Sequence, residues 1–103
     1  MPKYLLLVTQ AEKGKASMKL GPRRVDRARR AAEQLGIQII VDWMLQGEYD
    51  LGAYIEAPND EALTAWLIVL GEIGNRFNVH RAFEPQEYQQ ILDAVPDVEE
   101  TPV

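Results

Sequence analysis

The stretch Trp43-Met44-Leu45-Gln46-Gly47-Glu48-Tyr49-Asp50-Leu51-Gly52-Ala53-Tyr54-Ile55-Glu56 reads as two strands joined by a tight turn at Gly47-Glu48. Glycine tolerates positive φ, and a two-residue hairpin loop with glycine first is the type II′ pattern. That turn sets Gln46 opposite Tyr49, Met44 opposite Leu51, Asp42 opposite Ala53 and Ile40 opposite Ile55. The other surface then carries Ile39, Val41, Trp43 and Leu45 beside Asp50, Gly52, Tyr54 and Glu56. Opposed residues share a face, and a one-residue slip would exchange the faces. In this register Trp43 lies over Gly52, where a missing side chain leaves room for an indole. One face is mostly aliphatic; the other holds aromatics and two carboxylates.

Upstream, Lys3 to Gln10 is short and almost continuously apolar, as expected of a central strand covered on both faces. Ala11 to Leu20 reads as a loop with a short helical turn. Pro22 suits the first position of a helix, and Val25, Ala28, Ala32 and Leu35 recur at helical spacing until Gly36 stops it. Downstream, Asn59 or Asp60 caps a second helix over Glu61 to Ile73, ended by Gly74. It is apolar nearly all round, more than one sheet face can cover, so either the C-terminal segment or a second subunit must cover the rest. Arg76 to Phe83 alternates as a strand. Glu84-Pro85 opens a last helix with a stripe of Tyr88, Ile91, Leu92 and Val95. The acidic, two-proline stretch Pro96 to Val103 has little to bury and is expected to fray.

The order strand, helix, strand, strand, helix, strand, plus a C-terminal helix, predicts an α+β, ferredoxin-like βαββαβ fold. It has a four-stranded antiparallel sheet in the order 4-1-3-2, with both main helices on one face. Residues 1–95 form one domain and 96–103 a flexible acidic tail. The bare sheet face and the over-apolar second helix predict a homo-oligomer, dimer or higher, with sheets packed face to face.

Composition narrows the function. The 103 residues carry 47% hydrophobic residues, enough for a core, and no cysteine, so disulfides, cysteine nucleophiles and cysteine metal sites are excluded. Net charge is −5, yet Lys13 to Glu33 alone sums to +6 and the remainder to −11. A net acidic chain is a poor non-specific nucleic-acid binder, and no nucleic-acid partner is expected. The aromatic-rich signature of RNA-binding modules on this topology is missing from the first and fourth strands. Leu5 to Val8 is too short for a signal-peptide core, and the uncharged run Ala62 to Gly71 is about half a membrane span. The expectation is a cytoplasmic protein with no membrane partner. With one histidine and no spaced carboxylate cluster, no metal and no cofactor is expected.

The residues resemble the GYD-domain family, named for a Gly-x-Tyr-Asp signature. Gly47-Glu48-Tyr49-Asp50, a following strand, and Glu56-Ala57-Pro58-Asn59-Asp60 carry the resemblance. So do Lys3-Tyr4-Leu5-Leu6-Leu7, Gly21-Pro22-Arg23-Arg24-Val25, Leu70-Gly71-Glu72-Ile73-Gly74-Asn75 and Arg81-Ala82-Phe83. The resemblance spans Pro2 to Val95. It implies a fold of the dimeric α/β-barrel kind, in a family largely without an assigned activity.

Candidate site residues gather on the bare face. His80 and Asn78 are candidates for catalysis, His80 as a general base; with Trp43 and Tyr54 they are candidates for binding a small hydrophobic or aromatic molecule. The plainer readings are a polar strand residue at a rim for His80, and core or interface packing for the aromatics. Glu48 and Asp50 could divide acid and base roles. Beside a turn, carboxylates more often accept backbone hydrogen bonds, and Gly47, Tyr49 and Asp50 are assigned to the turn, with Asp50 held by turn amides and defining where the edge strand begins. The arginines at 23, 24, 27, 29 and 30 could hold an anion, but a solvated helix face is the simpler account. The functional expectation is therefore a homo-oligomeric small-molecule binder. A cofactor-independent monooxygenase or isomerase, by analogy of fold, and a purely structural assembly module are the alternatives.

Overall fold

The structure is a computed structural model that describes residues 1–10 and 21–98, with side chains of the first helix described from Val25 onward. The expectations for Ala11 to Leu20, the side chains of Arg23 and Arg24, and residues 99–103 lie outside the described residues. The elements run β1 (Lys3–Gln10), α1 (Gly21–Gln34), β2 (Gln38–Met44), β3 (Leu51–Glu56), α2 (Asp60–Glu72), β4 (Asn75–Ala82) and α3 (Pro85–Asp93). The sheet order is β2-β3-β1-β4, the expected 4-1-3-2 read from the other edge, and every neighbouring pair is antiparallel.

Local chemistry sets the boundaries. Past α1, Gly36 takes φ +73, and the N–H of Ile37 returns to the Ala32 carbonyl at 2.8 Å. That left-handed step closes the helix and feeds β2. Asn59 caps α2, its Oδ1 accepting from the Ala62 N–H at 2.8 Å, with Asp60 and Glu61 in the positive first turn. Glu84 and Glu87 form a capping box on α3, with Pro85 in the first turn.

The core lies between the sheet and the helices α1 and α2. Tyr4, Leu6 and Val8 of β1 and Ile55 of β3 meet Ala32 and Ile37 from the α1 side and Leu63, Trp66 and Leu70 of α2. Leu6 and Ile55 are the largest fully buried side chains, each contributing about 1.5–3 kcal/mol by burial. β1 is not covered on both faces, as its apolar run suggested. Tyr4, Leu6 and Val8 are buried, whereas Leu5, Leu7 and Thr9 are only half-buried, because both main helices sit on the same side.

Two features of the β2–β3 hairpin depart from the sequence reading. The expected register holds from Met44–Leu51 through Val41–Tyr54, but a bulge at Ile40 then shifts it, so Ile39 faces Ile55 and Gln38 faces Glu56. Ile39 thereby joins the helix-facing side, where it packs against the core. The connection is also not a two-residue turn. The last rung joins the Leu45 N–H to the Asp50 carbonyl at 2.8 Å, and 46–49 form an open bend with Gly47 at φ +132. The bend is held from the neighbouring strand: the Asp50 N–H donates to the Val8 carbonyl at 2.8 Å. Asp50 therefore precedes an interior strand, β3, and not an edge strand.

Candidate functional site

On the face away from α1 and α2, register places side chains in rows across the four strands. One row runs His80, Leu5, Tyr54, Val41; the next runs Asn78, Leu7, Gly52, Trp43. The four expected ligand residues, Trp43, Tyr54, His80 and Asn78, therefore share this face, with His80 and Asn78 on one edge strand and Trp43 on the other. A Cβ built on Gly52 would lie 3.3 Å from Leu45 Cδ1 and 3.5 Å from Trp43 Cε3, so the indole does pack over the glycine. Trp43 remains 46% exposed, with Val41 and Leu45 beside it also exposed. The face is apolar along its middle and polar towards β4.

The 47–50 loop is clasped from two strands. Asn78 Nδ2 donates to the Tyr49 hydroxyl at 2.8 Å, which carries the tyrosine across to β4. The Asp50 carboxylate accepts the Gln10 N–H from the end of β1 at 2.8 Å. The carboxylate was expected to be held by turn amides; its bond to Gln10 also ties two strands together. At the opposite end of the sheet, Lys3 hydrogen-bonds Glu84, which raises the lysine pKa against the opposing effect of burial, and Glu56 stands 3.7 Å away. Arg81 lies 5.6 Å from the Tyr4 ring centroid and 4.4 Å from that of Phe83.

The helix side of the sheet holds a partly open cavity of about 110 Å³. Leu6, Val8 and Ala53 form its floor, Val25 and Ala28 of α1 one wall, and Trp66 and Leu70 of α2 another. Trp66 Nε1 donates to the Ala28 carbonyl at 2.9 Å, fixing the indole edge in that wall. Gln10 and Asn75, paired across β1 and β4, close one end; Arg29 and Asp42, 2.6 Å apart and each about half exposed, stand at another. Side-chain size contributes to the void: Ala28 of α1 and Ala53 of β3 both line it, and a methyl group fills little space.

A family model described as the GYD domain matches residues 4–92, nearly the whole chain. The chain belongs to the GYD-domain family. Comparison with curated proteins gives no match.

The three named positions of the GYD signature do separate physical work here. Gly47 supplies a backbone angle that side-chain-bearing residues rarely adopt, Tyr49 reaches β4, and Asp50 holds β1. Their hydrogen bonds make the signature a brace for the sheet end. The remaining candidates are distributed differently. Glu48 is exposed on the bend. Arg27, Arg29 and Arg30 pair with Glu72, Asp42 and Asp26 at 3.2, 2.6 and 2.9 Å, as a solvated, ion-paired helix face. Among the described residues no cluster of three or more metal-ligating side chains occurs, and no helix is long and apolar enough to cross a membrane. Of the cavity-lining residues only Arg29 was singled out in the sequence as a binding candidate, for an anion. The small Ala28 on the inner side of α1 reads equally as close packing.

Proposed function

We propose that this GYD-domain chain works as a homo-oligomeric binder of a small hydrophobic or aromatic molecule, with the open sheet face covered by a second copy. The observation that carries the assembly is the exposure of Trp43, Val41 and Leu45 on an apolar face that neither α1 nor α2, the helices packed on the core, covers among the described residues. A contiguous patch of this kind is unusual on a monomer. It has the layout of an interface, with Trp43 as an aromatic anchor and Asn78, His80 and Arg76 as a polar edge. A two-fold pairing would lay Trp43 of each copy against the same surface of the other, which satisfies both at once. Ile68 on α2, 60% exposed, adds apolar surface on the other side of the molecule.

The enzyme alternative draws less support, because Asn78, one of its two candidate residues, is already engaged with the Tyr49 hydroxyl. The test is the mass of the purified protein by light scattering or native mass spectrometry. A multiple of the chain mass is expected at tens of micromolar, roughly where common dimers persist, with Trp43→Glu giving the single-chain mass and an unchanged circular dichroism spectrum. A single-chain mass for the unaltered protein overturns the assembly.

A further inference from the structure

We propose that the cavity between α1 and the sheet is a binding site for one compact, uncharged ring, aromatic or alicyclic, of about the size of benzene or toluene. The inference rests on the binding half of the reading above, not on the assembly half, and it places the ligand on the helix side of the sheet.

Three observations converge on that chemistry. The volume is about 110 Å³, and a dry apolar cavity of roughly 150 Å³ is known to take up benzene, so a single ring is the right scale where one side is open. The walls are branched aliphatics and an indole: Leu6, Val8, Leu70 and Trp66 offer dispersion contacts on several sides of a flat ring. The indole N–H of Trp66 is already committed to the Ala28 carbonyl, so it presents a hydrocarbon surface to the void.

The polar groups argue for a neutral guest. Arg29 and Asp42 neutralise one another at 2.6 Å. An anionic guest would compete with Asp42 for the guanidinium, and a cationic one with Arg29 for the carboxylate; an uncharged ring leaves the pair in place. Asn75 Nδ2 donates to the Leu70 carbonyl at 3.2 Å, so this amide is tied to the wall.

The chain has two tryptophans, and they report on the two sides of the sheet separately. Toluene titrated into the ¹⁵N-labelled full chain is expected to move the indole N–H resonance of Trp66 saturably and leave that of Trp43 in place. Ala53→Leu, which fills the floor, is expected to weaken binding by about tenfold or more while the Trp66 resonance stays dispersed. Movement of Trp43 without Trp66 overturns this site and leaves a small-molecule binder with its ligand on the open face. Movement of neither overturns the site and leaves the broader binding function to other ligands. Undiminished binding to a folded Ala53→Leu chain also overturns the site, and if that variant fails to fold the two resonances of the unaltered chain decide alone.

Discussion

Asp50 shows how a single carboxylate can be read in kind from its local sequence while a distant partner stays hidden. Its place after a glycine-containing bend marks it as an acceptor of backbone hydrogen bonds, which it is. The donor, the Gln10 N–H, is 40 residues away in sequence, and only the pairing of β1 with β3 brings it near. Removing the carboxylate leaves that strand-end amide without its charged acceptor. Asp50→Ala is expected to cost about 1–3 kcal/mol in urea unfolding, and Asp50→Asn, which keeps an oxygen there, distinctly less. Tyr4 carries a second residue-scale consequence. Its burial, together with the Asp60 carboxylate that accepts its hydroxyl at 3.3 Å, raises the phenol pKa, while Arg81 acts in the opposite sense. The folded chain therefore holds this proton more tightly than the unfolded chain does. The associated stability is fully present below the unfolded value of about 10 and is lost as pH rises through the folded value. Spectrophotometric titration is expected to reveal a late-ionising phenol that disappears in Tyr4→Phe, along with part of the alkaline fall in stability.

At the scale of elements, α3 separates what periodicity specifies from what it leaves open. Spacing identified the stripe Tyr88, Ile91, Leu92 and Val95, and Glu84-Pro85 identified the start. The pattern says that a helix is amphipathic, not what its apolar side meets. In the structure all four side chains are exposed, so α3 does not supply the cover that α2 was expected to need. Ile91→Ser with Leu92→Ser, placed in the Trp43→Glu chain, is accordingly expected to change unfolding free energy by less than about 0.5 kcal/mol per site. A loss of several kcal/mol, measured by urea titration, would mean that α3 packs on its own chain. The β2–β3 hairpin shows the complementary limit. Alternation fixed the register around Trp43 and Gly52, but an extra residue at Ile40 has no composition of its own to announce it.

For the whole molecule, the order of strand and helix patterns was sufficient for the topology, because few un-knotted arrangements of four strands and two crossover helices exist. The cavity was beyond the reach of such patterns. It depends on which of its lining positions carry small side chains, and hydrophobic periodicity scores alanine and leucine alike although their volumes differ. The kink at Ile40 has a further effect, on how copies can meet. It lies in β2, one of the two outer strands. A straight outer strand is a template onto which further chains can add, one after another, into a fibre. With its ladder interrupted midway, β2 offers no unbroken row of donors and acceptors, so a further strand adds less readily along that border than along a straight one.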